Sequence, residues 1–171
     1  KALIVVHVYG LPCKIYEIKK ICKKFNIILI EDAAEAVGSF YKGKHLGTFG
    51  DIGILSFNGN KTLTAGAGGS IITNNRNIAN KLKHLSTHAK LKKKYDHLHD
   101  FIGFNYRMNN LSAAVGCAQI ENLRKILIAK RKNFQSYYDL FKDFKGIKLI
   151  KEPVGSKINY WLIIAIFPNK K

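Results

Sequence analysis

Short apolar runs alternate along this chain with segments whose apolar residues recur every three or four positions. The runs at 3–8, 27–31, 52–57 and 70–73 read as strands. Between the first two, Ile15, Ile18, Ile21, Cys22 and Phe25 fall on one face of a helix. A second helix is predicted over 76–85, after the cap-like pair Asn74-Asn75. Residues 86–100 are polar and rich in His, the mark of a surface loop, and from Asn110 to about residue 144 the pattern is helical again. Further strands are expected around 147–150 and 159–167. Strand and helix in alternation predict an α/β fold with a mostly parallel sheet and flanking helices.

The long helical stretch changes character along its length. Its first third is small and apolar (Ala113, Ala114, Val115, Gly116, Ala118) and the rest carries Lys and Tyr, as in a helix that leaves the core of one domain for another. Three parts are therefore expected: 1–109 as part of a large domain, 110–145 as a connecting helix, and 146–171 as the beginning of a small C-terminal α+β domain. Only 153–156 reads as a linker.

Two strand ends carry the chemistry. Lys61 follows the run 52–57 and precedes the glycines 66, 68 and 69, while Asp32 closes the run 27–31. Open α/β sheets bind ligands at the carboxyl ends of their strands, so an amine and a carboxylate there can meet one cofactor. An amine that bonds an aldehyde and a carboxylate that pairs with a protonated pyridine nitrogen are what pyridoxal phosphate requires. Asp32 has a second reading as a cap for the turn at Ala33-Ala34. Asp51, beside Gly50 at a strand start, reads as a turn former. The glycines 66–69 suit either a phosphate cradle or a tight turn.

The wording around these residues is more specific than their spacing. Four blocks, Val6-His-Val-Tyr-Gly10, Glu31-Asp-Ala-Ala-Glu-Ala36, Gly50-Asp-Ile-Gly-Ile-Leu-Ser-Phe57 leading to Lys61, and Gly103-Phe-Asn-Tyr-Arg-Met108, span most of residues 3 to 145. In that order they resemble the DegT/DnrJ/StrS family of pyridoxal phosphate-dependent nucleotide-sugar aminotransferases. The resemblance implies a type I aminotransferase-like large domain with Lys61 as the catalytic, Schiff-base lysine, Asp32 as the pyridinium partner and Ser56 as a phosphate contact. Asn105 matches an asparagine that reaches the phosphate in the neighbouring subunit's site, which implies a homodimer with shared active sites. Glu35 stands at a cofactor-binding position where many members carry Gln; ionised, it accepts hydrogen bonds and cannot donate one to the cofactor's phenolic oxygen. Asn110 and Ala67 also depart from the family's usual residues. His7 and Tyr9 belong to the first block without a role of their own.

By the same resemblance the reaction moves an amino group from an amino acid, L-glutamate in the family, to a keto sugar linked to a nucleotide, for amino-sugar or surface-polysaccharide synthesis. A dehydratase on the same scaffold is the rival enzyme; that branch replaces the lysine by histidine, and Lys61 counts against it. The family's members are longer at both ends, so the expectation is the middle of an enzyme that is inactive as this piece alone. The rival outside the enzymes is a truncated, catalytically silent chain kept for association or for its basic surface.

Composition bounds what remains. With 29 Lys+Arg against 11 Asp+Glu the formal charge is +18, but the cations are spread over every expected helix, with one dense run from Lys90 to Lys94. Scattered cations suit anionic nucleotide-sugars drawn to a basic surface better than a nucleic acid, which is not an expected partner. His84 and His88 lie four apart on an expected helix, and His97 and His99 follow in the loop; with no acidic residue between the first pair and no Cys at zinc spacing, no metal is expected. Cys13, Cys22 and Cys117 are widely spaced and read as reduced, mostly buried thiols of a cytoplasmic protein. No apolar run is long enough for a membrane span.

Overall fold

The structure is a computed structural model that describes residues 1–91 and 97–168. Lys92, Lys93 and Lys94 of the lysine run lie outside the described residues. The central sheet has strand order β1-β2-β5-β6. Its members β1 (Ala2–Val6), β2 (Ile28–Asp32) and β5 (Ile52–Ser56) are parallel, with Val6 opposite Asp32 and Asp32 opposite Ile54. The last, β6 (Gly69–Ile72), returns antiparallel beside β5. The carboxyl ends of β1, β2 and β5 therefore lie at one edge, where His7, Asp32 and Ser56 stand. The expected α/β class and mostly parallel sheet hold.

Helix α1 (Ile15–Lys24) connects β1 to β2 and packs Ile15 and Cys22 into a core with Leu29, Ala33, Ala36, Leu46 and Phe49. The expected apolar face is only partly used, because Ile21 and Phe25 are exposed. Ile4, Val6 and Leu3 on β1 are exposed as well. The glycine-rich loop after β2 contains a hairpin that periodicity does not reveal, β3 (Phe40–Tyr41) with β4 (Lys44–His45). At Gly53 the Gly47 carbonyl lies 1.8 Å from where a Cβ would stand, so no side chain fits there.

Helix α2 (Arg76–Leu85) begins where expected, and Asn75 caps it by accepting from the amides of Asn77 and Ile78. His88 falls beyond the helix at φ +63°, so His84 and His88 do not share a helix face. Helix α3 (Asn110–Phe141) has 32 residues and is capped by Asn109, which accepts from Ser112 N at 2.8 Å. In its first third Ala114, Val115 and Ala118 are exposed within this chain, and Gly116 alone of the five small or apolar residues is buried, facing Ala65.

The remainder forms a second apolar cluster of Phe134, Leu149, Ile158 and Tyr160. Strand β7 (Lys148–Leu149) pairs with β9 (Ala165–Ile166), and β8 (Ser156–Lys157) joins β3. Residues 159–167 are not one strand, because Tyr160 takes φ +48° and turns the chain. Its ring instead stacks on Phe134 at 4.1 Å. The β3–β8 pairing and the buried Asn159 tie this segment to the loop after β2, and so bring Trp161 to the sheet's carboxyl edge.

Candidate active site

Lys61 sits in a loop closed at its base by the β5–β6 pairing and inside by two backbone bonds, Phe57 N to Gly68 O at 2.9 Å and Ala65 N to Phe57 O at 2.8 Å. Its side chain is 14% exposed, and Nζ lies 3.6 Å from Glu35 Oε1. The same Nζ stands 4.1 Å from the centre of the Trp161 ring. Glu35 is held in turn by the amide of Tyr9, which donates to Oε2 at 2.6 Å. Glu35, expected from the sequence to serve a cofactor, thus meets the lysine itself.

Asp32 ends β2 and Ser56 ends the adjacent β5, so both share the edge from which the Lys61 loop departs. Asp32 Oδ1 accepts from Ala34 N at 3.1 Å. A turn and not a helix follows, so the helix-cap reading of Asp32 gives way to a local Asx turn. Among the described residues no cation lies within ion-pair distance of Asp32. Ser56 Oγ accepts a long contact from Asn58 N at 3.4 Å. Asn105 is exposed and bridges to Thr87, and none of its hydrogen bonds reaches Lys61, Asp32 or Ser56. Gly66 and Gly68 adopt φ of +80° and +88°, which a tight turn needs. Asp51 pairs with Leu29 in both directions, accepting from its amide and donating to its carbonyl, a structural role as expected.

Beneath the edge lies a buried pair that sequence reading missed. His7 Nε2 meets Glu31 Oε2 at 2.9 Å, and both side chains are fully buried. Glu31 also accepts from Gly47 N at 2.9 Å and Gly50 N at 2.5 Å. Burial opposes the charge of Glu31, but His7 and these two amides outweigh it and hold the carboxyl below its ordinary range. Burial also pulls His7 down, yet the Cys13 side chain and Glu31 push it up to about 9. The Cys13 amide donates to Nδ1 at 3.3 Å. His45 behaves oppositely: burial lowers its pKa, and the ring accepts from Gly38 N while contacting Leu46 O.

Trp161 and Asn159 were also missed, since both lie in a run that reads as an ordinary strand. Asn159 Nδ2 donates to Glu35 O at 2.8 Å and Val37 O at 3.0 Å, and its Oδ1 accepts from Trp161 N at 2.9 Å. The histidines of α2 and the loop after it are engaged locally: His84 with Asp100, His97 with Lys90 and His99 with the His88 carbonyl. Of the three free thiols only Cys22 is buried; Cys117 is exposed and Cys13 half-buried, unlike the expectation. No described helix is long and apolar enough to cross a membrane.

The carboxyl edge of this mostly parallel α/β sheet carries a sheltered lysine, a carboxylate with no cation beside it among the described residues, and a serine, at the place where open α/β sheets bind ligands. The sequence matches the DegT/DnrJ/EryC1/StrS aminotransferase family over residues 1–171, and the chain belongs to that family. It is 40% identical to GDP-perosamine synthase of Vibrio cholerae over 172 residues, which is 99% of this chain and 46% of the relative. Its fold is similar to Helicobacter pylori PseC, an aminotransferase involved in the biosynthesis of pseudoaminic acid, at TM-score 0.93 and 26% identity, covering 98% of this chain and 46% of that one. It is also similar to E. coli GDP-4-keto-6-deoxy-D-mannose-3-dehydratase with bound hydrated pyridoxal phosphate, at TM-score 0.86 and 26% identity, covering 99% and 47%. The chain spans less than half the length of the relatives it matches.

Aminotransferases of this family depend on pyridoxal 5'-phosphate. The residues present fit that group. A sheltered amine, a carboxylate with no cation beside it among the described residues and a lightly engaged serine hydroxyl form a matching donor set. Next to Lys61, Thr62 is buried and its Oγ1 has no partner among the described residues, a polar atom left for something else to satisfy.

Proposed function

We propose that the full-length protein containing this chain transfers an amino group from an amino acid, L-glutamate by family resemblance, to the keto carbon of a nucleotide-linked sugar. The product is an amino sugar for a surface polysaccharide or related glycan. The observation that carries the reading is Lys61, a sheltered amine at the edge where Asp32 and Ser56 also end their strands. The names of the Vibrio cholerae and Helicobacter pylori relatives support the substrate class.

When bound, pyridoxal phosphate accepts electrons from the bond broken at the donor carbon. Lys61 would hold the cofactor through Nζ and, once free of it, would move the proton from the donor's α-carbon to the cofactor carbon in the first half and from that carbon to the sugar carbon in the second. Asp32 would keep a proton on the pyridine nitrogen by supplying a negative partner to it. Ser56 donates its hydroxyl hydrogen to the phosphate. Asn105 serves the other subunit's site in a homodimer; the exposed, stacked pair Phe104 and Tyr106 beside it supports such an interface. The large domain, connecting helix and small C-terminal domain at 1–109, 110–145 and 146–171 are the frame proposed for this work. The free thiols support a cytoplasmic setting.

The dehydratase neighbour offers a second reaction on this scaffold, and Lys61 disfavours it. Incubation of the full-length protein with L-glutamate and nucleotide-linked 4-keto sugars decides between them. Release of 2-oxoglutarate with formation of an amino sugar supports the proposal. Loss of water from the sugar ring, with no nitrogen incorporated, overturns it.

A further inference from the structure

We infer that Glu35 and Trp161 are positioning residues that together receive the Lys61 amine whenever its bond to the cofactor is open. The inference rests on Lys61 being the cofactor's lysine. Such a lysine is released in the first half of the reaction and recaptured only at the end of the second, and a flexible four-carbon stem released into solvent would have to search for its target again. Here the amine has a built place. Nζ lies 3.6 Å from Glu35 Oε1 on one side and 4.1 Å from the Trp161 ring centre on another, with the side chain 14% exposed.

Both walls are held by contacts other than the lysine. Trp161 is held at three atoms: its amide donates to Asn159 Oδ1 at 2.9 Å, its indole nitrogen to Asn60 O at 2.7 Å, and its carbonyl accepts from Lys130 Nζ at 3.2 Å. The contact to Asn60 anchors the indole to the residue just before Lys61, so wall and lysine move together. Glu35 is held by the Tyr9 amide, and Tyr9 keeps φ +56°, a conformation that an ordinary residue adopts only when its surroundings hold it there. Asn159 joins the two walls, bonding Glu35 O through Nδ2 and Trp161 N through Oδ1. A Cβ on Gly10 would lie 2.5 Å from Asn159 Oδ1 and 2.9 Å from Glu35 O, so the cradle is closed against any side chain there.

The test uses full-length protein freed of cofactor and treated with trace acetic anhydride. Acetylation of Lys61 is read by mass spectrometry relative to the exposed Lys20 and Lys125. The indole face and the carboxylate cover the amine against the reagent, so Trp161→Leu and Glu35→Ala should each raise the Lys61 ratio about threefold to tenfold. Trp161→Phe, which keeps an aromatic face, should stay within about twofold of wild type. Unchanged ratios in both the Leu and Ala variants overturn the inference. Should Trp161→Leu lose its cooperative thermal transition, Glu35→Ala and the emission of Trp161, isolated as wild type minus Trp161→Phe, decide instead. Lys61→Met should brighten that emission by removing the ammonium from the ring, and an unchanged spectrum overturns the inference. Because no cofactor is present, attachment of pyridoxal to another lysine would leave these ratios untouched, and the two failures stay distinct.

Discussion

Replacing Glu31 by Gln removes a charge from a carboxylate that is fully buried and accepts from His7 Nε2, Gly47 N and Gly50 N. The amide keeps one acceptor oxygen but turns an NH2 toward donors, leaving at least one buried N–H unpaired and His7 without its anion. Breaking a buried pair from one side costs about 3–5 kcal/mol. For a folded unit of this size that corresponds to a fall in Tm of about 6–20 °C. Circular dichroism on heating and urea titration give the loss, with Glu17→Gln on the exposed face of α1 as the control. A pH series adds an independent sign. Glu31, held below its ordinary 4.5, contributes stability that is present above that pH and is lost as pH falls through its folded pKa. His7, raised from 6.5 to about 9, contributes stability that is complete below 6.5 and is lost as pH rises through about 9. Wild type should therefore show its largest advantage over Glu31→Gln between these limits. A Glu31→Gln protein within about 0.5 kcal/mol of wild type across the series would refute the account of this pair.

Three further outcomes follow from the site. Asp32→Asn keeps shape and the turn to Ala34 but removes the charge, so the half-reaction with glutamate should slow by roughly tenfold to a hundredfold in stopped-flow absorbance; a near-normal rate would leave Asp32 with only the turn. Ser56→Ala should weaken cofactor affinity by about tenfold in equilibrium titration, and unchanged affinity would remove Ser56 from the phosphate site. Asn159→Ala frees the Glu35 and Val37 carbonyls and the Trp161 amide, a loss of about 2–4 kcal/mol seen as lower Tm together with a shift in Trp161 emission; a Tm within experimental scatter of wild type would mean that this side chain staples nothing.

Much of the fold is legible in the chain because the pattern is local. The runs at 28–32 and 52–56 are apolar and bounded by polar turns, and Asn75 announces α2 by the chemistry of capping. Two-residue strands such as β3, β4 and β8 have no period to detect, and their pairing depends on partners more than a hundred residues away in the case of Phe40 with Lys157. The apolar run 159–167 reads as a strand, but φ +48° at Tyr160 breaks it, a backbone choice set by stacking on Phe134 and not by local propensity. Exposed Ile21, Phe25 and Ile4 show the limit of periodicity, which marks a face as apolar without saying whether anything covers it.

The site divides the same way. Lys61, Asp32 and Ser56 stand out in the sequence because each closes or follows a strand within a recognisable block, and the sheet register brings those strand ends to one edge. Trp161 carried no such signal: its place over Lys61 depends on Asn159 reaching back to Glu35 and Val37. Glu31 belongs to a block that assigns it no task, because adjacent residues of a strand face opposite sides and only the fold shows that His7 lies beneath.

The central claim is that Lys61 is the residue that holds the cofactor. Reducing the full-length protein with borohydride in the presence of pyridoxal phosphate, then digesting it and locating the pyridoxyl group by mass spectrometry, tests this directly. The account predicts the label on the peptide containing Lys61, with loss of both label and visible absorbance in Lys61→Ala. A label on a different lysine, with Lys61→Ala still binding and absorbing as wild type, would contradict it.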